Sequence, residues 1–262
     1  MEVTEPILPG PAQALASLLD VPEPDGVLPL LWHWVYLLDR PAQADLGPDG
    51  HPVRGTVLAA PGPGRRRMWA GGRVRAHGEL RVGETATRRS EVLVVQEKEG
   101  RSGPLTFVTV AHRITQAGRL VVDEEQDIVY RAGSALDVPP DDGPEIPPAS
   151  GEWSVEVTPT LLFRFSALTY NAHRIHYDRD YSREVEGYPG LLTHGPLQAV
   201  AMAEAARARG VAGALEFEYR PVAPLFDHQG LIAAAVPGEE TTTSVRDRHG
   251  RQTAKGTLRR LA

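Results

Sequence analysis

The sequence predicts an α+β protein in which one helix and an antiparallel set of strands are stated twice, each sheet wrapping its helix. Three observations predict it. Residues 135–150, ALDVPPDDGPEIPPAS, hold five prolines and four acids with almost nothing apolar to bury. Short runs rich in β-branched residues recur on both sides of that segment. Each side also carries one apolar stretch at helical spacing. Proline removes backbone donors and restricts the residue before it, so 135–150 reads as an exposed, extended linker. It divides the chain into halves 1–134 and 151–262.

The first half opens with LPLLWHWVYLLD (28–39), where Leu31, Trp34, Val35 and Leu38 recur at the spacing of a helix. Strands are expected over 71–80, 88–100, 105–114 and 118–131, with EKEGRSG as the turn between the second and third. In the second half, PGLLTHGPLQAVAMAEAARAR predicts a helix over about 190–209. Its interior is rich in Ala, Leu and Met, and Gly210 suits its C-terminus. Strands are expected over 214–222, 230–236, 240–247 and 251–261, with DRHG (247–250) as the hairpin turn between the last two.

Composition narrows the function classes. The chain has 262 residues, enough for a substantial core in one large domain or two modest ones. It has no Cys, which excludes disulfide scaffolds, thiolate metal sites and a Cys nucleophile. A net charge of −6 argues against nucleic-acid binding, which needs a basic footprint. No apolar run approaches the ~18 residues of a membrane span, and MEVTEPILPG lacks the regions of a signal peptide. The expectation is a cytoplasmic protein with no membrane partner.

The densest polar cluster is FRFSALTYNAHRIHYDRDYSREVEGYPGLLTHGPLQA, residues 163–199. His173 and His176 at i, i+3 could share a helical face, with Asp178, Asp180 or His194 as a third ligand. The chain has no HExxH or other recognised metal-ligand spacing, so no metal is expected. Ser166 lacks a GxSxG elbow, and neither GxGxxG nor GK[ST] occurs. Acid–base chemistry fits best. A histidine such as His176 exchanges protons near neutral pH, and Asn171 offers an amide oxygen to hold a water and an amide N–H₂ to hold a substrate oxygen. Gly195 lies in the first turn of the predicted helix, where N–H groups lack intrahelical partners and the dipole is positive. Such an N–H can stabilise a thioester carbonyl that gains enolate charge. A structural alternative is that His194 caps the helix and Gly195 allows close packing.

The stretch SALTYNAHRIHYDRDYSREVEGYPGLLTHGPLQA closely resembles the MaoC-like, hot-dog-fold (R)-hydratases, the type 2 hydroxyacyl-thioester dehydratases. Within them it is most similar to the 3-methylfumaryl-CoA (mesaconyl-C4-CoA) hydratase branch. PLLWHWVYLLD, LGPDGHP, RRMWAGGRVR, RVGETATRRS, EKEGRSGPLTFVTVAHRI and EEQDIVYR resemble the N-terminal half of that branch, so the likeness spans roughly 25–260. The resemblance implies a double hot-dog fold, or a dimer of single hot-dogs, acting on coenzyme A or carrier-protein thioesters with no metal or redox cofactor. The wider family has an Asp, an Asn-Pro pair, a hydrophobic residue and a His. Here Asn171 stands where that Asp would be and His176 matches the final His. An amide cannot act as a base, so His176 must carry more of the proton transfer.

The expected function is reversible hydration of an α,β-unsaturated acyl thioester, mesaconyl-C4-CoA or a related dicarboxylyl-CoA. His176 is the expected acid/base, Asn171 the orienter of water and substrate, and Gly195 N–H the oxyanion donor. Expected substrate contacts are Tyr170, His173 and His194, with Arg65, Arg66 and Arg67 beside Trp69 for the anionic groups of coenzyme A. A dicarboxylate's free carboxylate needs a cation, for which Arg174 is the nearest in sequence and Arg164 the second. Either could instead pair with Asp178 or Asp180. An acyl-carrier-protein dehydratase is the first alternative. A noncatalytic thioester binder or a thioesterase is the second, and a homo-oligomer is compatible with each.

Overall fold

The structure is a computed structural model that describes residues 1–58, 65–100, 103–132 and 143–261. Ten strands form one sheet, in the order β1-β3-β4-β5-β2-β7-β10-β9-β8-β6, with every pairing antiparallel. The first half contributes β1 (Glu2–Pro6), β2 (Arg65–Ala76), β3 (Thr85–Gly100), β4 (Gly103–Gln116) and β5 (Arg119–Ala132). The second contributes β6 (Trp153–Val155), β7 (Leu215–Pro221), β8 (Leu231–Val236), β9 (Thr241–Arg246) and β10 (Gln252–Arg260). Two separate sheets are the expectation; here they join through β2 and β7, Gly72 opposite Tyr219 and Ala76 opposite Leu215. Each strand thereby covers an edge that would otherwise carry unpaired N–H and C=O groups.

The helix α3 (Gly195–Ala208) falls within the predicted span 190–209, whose first five residues are not helical, and packs on β7 through β10. Its Ala-rich face lets the sheet close tightly: Leu197, Ala199, Val200, Ala201, Met202 and Ala205 are all buried. In the first half the helical expectation fails. LPLLWHWVYLLD forms only a 3-10 turn, Trp32–Val35, because Leu31 (φ 70°) and Leu37 (φ 53°) sit in the left-handed region and break the repeat. Its apolar periodicity reflects burial of an irregular segment, since Leu31, Trp32 and Leu37 are all inaccessible.

The helix of the first half is α1 (Pro9–Leu19), and a third, α2 (Pro159–Leu168), precedes the histidine cluster. Both start with a proline in the first turn, where a missing N–H costs nothing. The Thr158 hydroxyl accepts from Leu161 N–H to cap α2. One continuous apolar core takes residues from both halves, including Leu15, Trp32, Val74, Leu162, Met202 and Phe217. Trp32 Nε1 also donates to the buried Glu204 of α3 at 2.9 Å.

Much of the predicted linker, 135–142, lies outside the described residues. Its remainder, 143–150, is exposed and tied to the β9–β10 turn: Ile146 N–H donates to Arg248 O at 2.7 Å, and Arg246 donates to the carbonyls of Ile146 and Pro147. Among the described residues no helix is long and apolar enough to cross a membrane.

Candidate active site

A cavity of about 1050 Å³ opens between the N-terminus of α3, the strand β2 and two loops, 47–53 and 171–176. It is lined by Asn171, His173, His176 and Gly195 from the second half, and by Asp49, His51, Arg65, Arg66, Arg67, Trp69 and Arg131 from the first. A second hollow of about 820 Å³ is lined by residues such as Val94, Phe107 and Thr257 and includes no histidine.

The candidate stretch 171–176 is placed by a sharp exit from α2. Tyr170 adopts φ 53°, and Asn171 N–H returns to Ser166 O at 2.8 Å. Asn171 Oδ1 then accepts from His173 N–H at 3.0 Å. The amide oxygen, expected to hold a water, is instead committed to the local turn, which leaves the N–H₂ group to orient a water or substrate oxygen. His176 follows in the 3-10 turn Arg174–His176, and its Nδ1 meets Leu192 O at 2.7 Å. A carbonyl only accepts, so Nδ1 carries the proton and the neutral ring keeps its lone pair on Nε2. Burial pulls the pKa of His176 down to about 4, with the bond to Leu192 opposing the shift. The ring is a neutral proton acceptor at physiological pH.

Gly195 opens α3 with His194 as the N-cap and Pro196 behind it. A Cβ at Gly195 would meet Trp69 Cε3 at 2.5 Å and Cζ3 at 2.9 Å, so only glycine fits. Trp69 forms that wall because it stacks on Tyr219 (5.1 Å, 24°) and meets Trp34 edge to face (5.9 Å, 87°). The cavity therefore brings together a proton acceptor, an amide donor and a helix N-terminus that only glycine permits to lie flush.

The structure redistributes the other candidates. His173 lines the cavity, and burial first, then the charges of His51, His176 and His194, hold its pKa well below the ordinary histidine value. His194 is absent from the lining. It is buried behind His176, stacked on it at 3.7 Å, with Nε2 2.9 Å from Ser166 Oγ, so it supports the His176 ring. Tyr170 is 55% exposed and does not line the cavity; its left-handed backbone turns the side chain out to solvent. Arg174 is also absent from the lining. It donates to Asp178 Oδ2 at 3.0 and 2.8 Å and to Pro48 O at 3.1 Å, and lies 4.1 Å over Tyr181. It clamps two loops together. Arg164 is exposed on α2 and does not line the cavity either.

Arg65, Arg66 and Arg67 do face the cavity, each with protein partners. Arg65 donates to Thr106 Oγ1 at 2.7 Å and Tyr130 O at 3.0 Å. Arg66 pairs with Glu186 at 2.7 Å. Arg67 donates to Pro52 O at 3.3 Å and lies 5.6 Å from the Tyr130 ring centre.

Sequence reasoning missed Asp49, His51 and Arg131. His51 Nδ1 meets Asp49 Oδ2 at 3.0 Å, and its ring packs on His173 at 3.9 Å. The loop is pressed onto the candidate stretch 171–176: Arg174 N–H donates to Asp49 O at 2.9 Å, and a Cβ at Gly50 would lie 1.8 Å from Ala172 O. The Asp-Gly-His spacing in LGPDGHP was the available signal. Burial opposes ionisation of Asp49, but its hydrogen bonds and charge contact with His51 outweigh that and hold its pKa low. Asp49, His51 and His173 are the one group among the described residues whose ligand atoms, all within 4.8 Å of one another, could surround a metal ion. Burial first, and also the Arg67 charge, lowers the pKa of His51, and that same positive charge weighs against a cation there.

Comparisons with known proteins place the chain among hot-dog proteins. The chain is 49% identical to the mesaconyl-C(4)-CoA hydratase of Chloroflexus aurantiacus over 224 residues, 82% of this chain and 79% of that one. Among solved structures, HtdX from Mycobacterium tuberculosis matches over 99% of this chain and 100% of its own (TM-score 0.73, 17% identity). A second protein of that organism, described as having a double hotdog fold, matches over 97% and 92% (TM-score 0.54, 17% identity). These likenesses show the double hot-dog architecture. A family model for hydroxyacyl-thioester dehydratase type 2 matches residues 31–227, and the chain belongs to that family.

Proposed function

We propose that the protein is a hydro-lyase that adds water to the double bond of an α,β-unsaturated acyl-CoA thioester, and that the acyl group is a short dicarboxylate of the mesaconyl-C4 kind. The observation that carries the reading is His176: its Nδ1 is held by Leu192 O, which leaves the lone pair on Nε2, and the residue lines the cavity together with Gly195 and Asn171. The water oxygen accepts from the Asn171 amide while His176 Nε2 takes one water proton. The oxygen bonds to C3, the C2–C3 π pair shifts toward the thioester, and the enolate oxygen is held by Gly195 N–H. The proton on His176 then passes to C2, which restores the neutral ring. The addition is redox-neutral and uses only groups of this chain.

The dicarboxylate assignment rests on the Chloroflexus relative and on charge. Four arginines and two carboxylates line the cavity among the described residues, a positive site in a chain of net charge −6. Incubation with crotonyl-, mesaconyl-C4- and itaconyl-CoA, followed by loss of enoyl absorbance, tests the reading; mesaconyl-C4-CoA is the expected best substrate. Preference for long unbranched enoyl chains, or turnover only on a carrier protein, favours a fatty-acyl dehydratase instead. Release of free thiol without hydration identifies a thioesterase.

A further inference from the structure

We propose that Arg66 and Arg131 form an anion-binding subsite in the cavity wall, built to take a carboxylate or phosphate group of the bound thioester. The inference deepens the reading above and rests on it for the identity of the ligand. Arg66 on β2 and Arg131 on β5 are directly opposite in the strand register, so two guanidinium groups start from neighbouring positions on one face of the sheet. Like charges in that relation destabilise a sheet pair. Arg66 is only partly compensated: its Nε bonds Glu186 Oε2 at 2.7 Å, and Glu186 already accepts from Tyr181 Oη at 3.3 Å. Its Nη1 is buried with no hydrogen-bond partner among the described residues.

Arg131 is less satisfied still. Its Nε and Nη2 are both buried and both without a partner among the described residues. These two nitrogens form one edge of the guanidinium plane, the fork that grips two oxygens of a carboxylate or phosphate at once. Leaving buried charged donors unpaired costs stability, and the neighbouring positive charge adds to the strain. An anion between the two arginines would remove both penalties. The pair lies in the same cavity as His176 and Gly195. The ligand therefore offers two sources for the anion: a free carboxylate on the acyl chain, or a phosphate of coenzyme A.

The test is calorimetric binding of unreactive saturated thioesters, methylsuccinyl-CoA and butyryl-CoA, and of their pantetheine counterparts, to wild type and Arg131→Met. Binding does not depend on turnover, so failure of the hydratase reading in the enoyl-CoA assay is scored separately. Loss of one forked, charge-assisted contact predicts affinity weakened by roughly 10–100-fold. Confined to methylsuccinyl thioesters on either carrier, that loss assigns the acyl carboxylate. Shared by both CoA thioesters but absent from both pantetheine forms, it assigns a phosphate. Arg131→Met should also melt at or above the wild-type temperature, because it removes a buried, unpaired charge. Unchanged affinity for all four ligands, or equal weakening of all four together with a lower melting temperature, overturns the proposal. Arg131→Lys keeps the charge without the fork. It should reproduce most of the loss and serves as the variant if Arg131→Met does not fold.

Discussion

Gly195→Ala tests the oxyanion site proposed at the helix N-terminus. The new methyl would lie 2.5 Å from Trp69 Cε3, 2.9 Å from Cζ3 and 3.5 Å from Pro221 Cγ. Carbon atoms pack at about 3.5–4.0 Å, so the ring or the first turn of α3 must move by about 1 Å. Trp69 cannot swing away easily, because Tyr219 stacks on it and Trp34 abuts its edge. Overpacking of this kind costs about 1–3 kcal/mol, a fall of roughly 2–12 °C in Tm for a chain of this size. Displacing an oxyanion donor costs about 10²–10³-fold in kcat. The assay is loss of enoyl absorbance under saturating mesaconyl-C4-CoA, paired with thermal melts. Trp69→Leu removes the two ring atoms that clash, so adding Gly195→Ala to that background should cost less than 1 kcal/mol. Wild-type kcat and Tm in Gly195→Ala would refute the reasoning. So would an undiminished penalty in the Trp69→Leu background, which would show that the Trp69 wall is not what demands glycine.

His176→Ala should lower kcat by about 10²–10⁴-fold, more than His173→Ala, in the same absorbance assay. Asn171→Asp should fold normally, since Oδ1 still accepts from His173 N–H, and should retain part of the activity. Stability should fall on acidification: the unfolded chain protonates His176 near ~6.5 but the folded chain only near about 4. Between those values the unfolded state binds more protons, so His176 contributes a loss of about 3 kcal/mol as pH drops through the window, seen in urea melts as a difference from His176→Phe. Arg174→Lys should lower Tm through loss of the forked bonds to Asp178 and the contact over Tyr181, and should change KM for mesaconyl-C4-CoA and crotonyl-CoA by similar factors. A selective rise for the dicarboxylate would return Arg174 to the substrate.

How much of this was legible in the sequence depended on the range of the interaction. The eight longer strands and α3 follow from local patterning, because strand alternation and an Ala-rich helical run are written in consecutive residues. The motif Asn171, His176 and Gly195 was equally readable, since all three sit within 25 positions of one another. α1 escaped because PGPAQ reads as a loop, although prolines are tolerated in a first helical turn. LPLLWHWVYLLD misled for the opposite reason: burial alone set its apolar spacing, and Leu31 and Leu37 leave the helical region.

What only the tertiary structure decided is which side chains meet across distant stretches of chain. Arg174 looked available beside His173 and His176, but Asp178 and Pro48 engage it. Tyr170 adjoins Asn171 in sequence, yet it is exposed and does not line the cavity. Asp49 and His51 stand more than 120 positions before His176 and share its cavity, because a glycine at position 50 lets their loop press against Ala172. Arg66 and Arg131 face one another only through the β2–β5 register. Sequence determined the longer strands, α3 and the residue types of the candidate site, since these depend on local pattern and near spacing. Strand pairing and loop docking decided which charges are spent on contacts within the fold and which line the cavity.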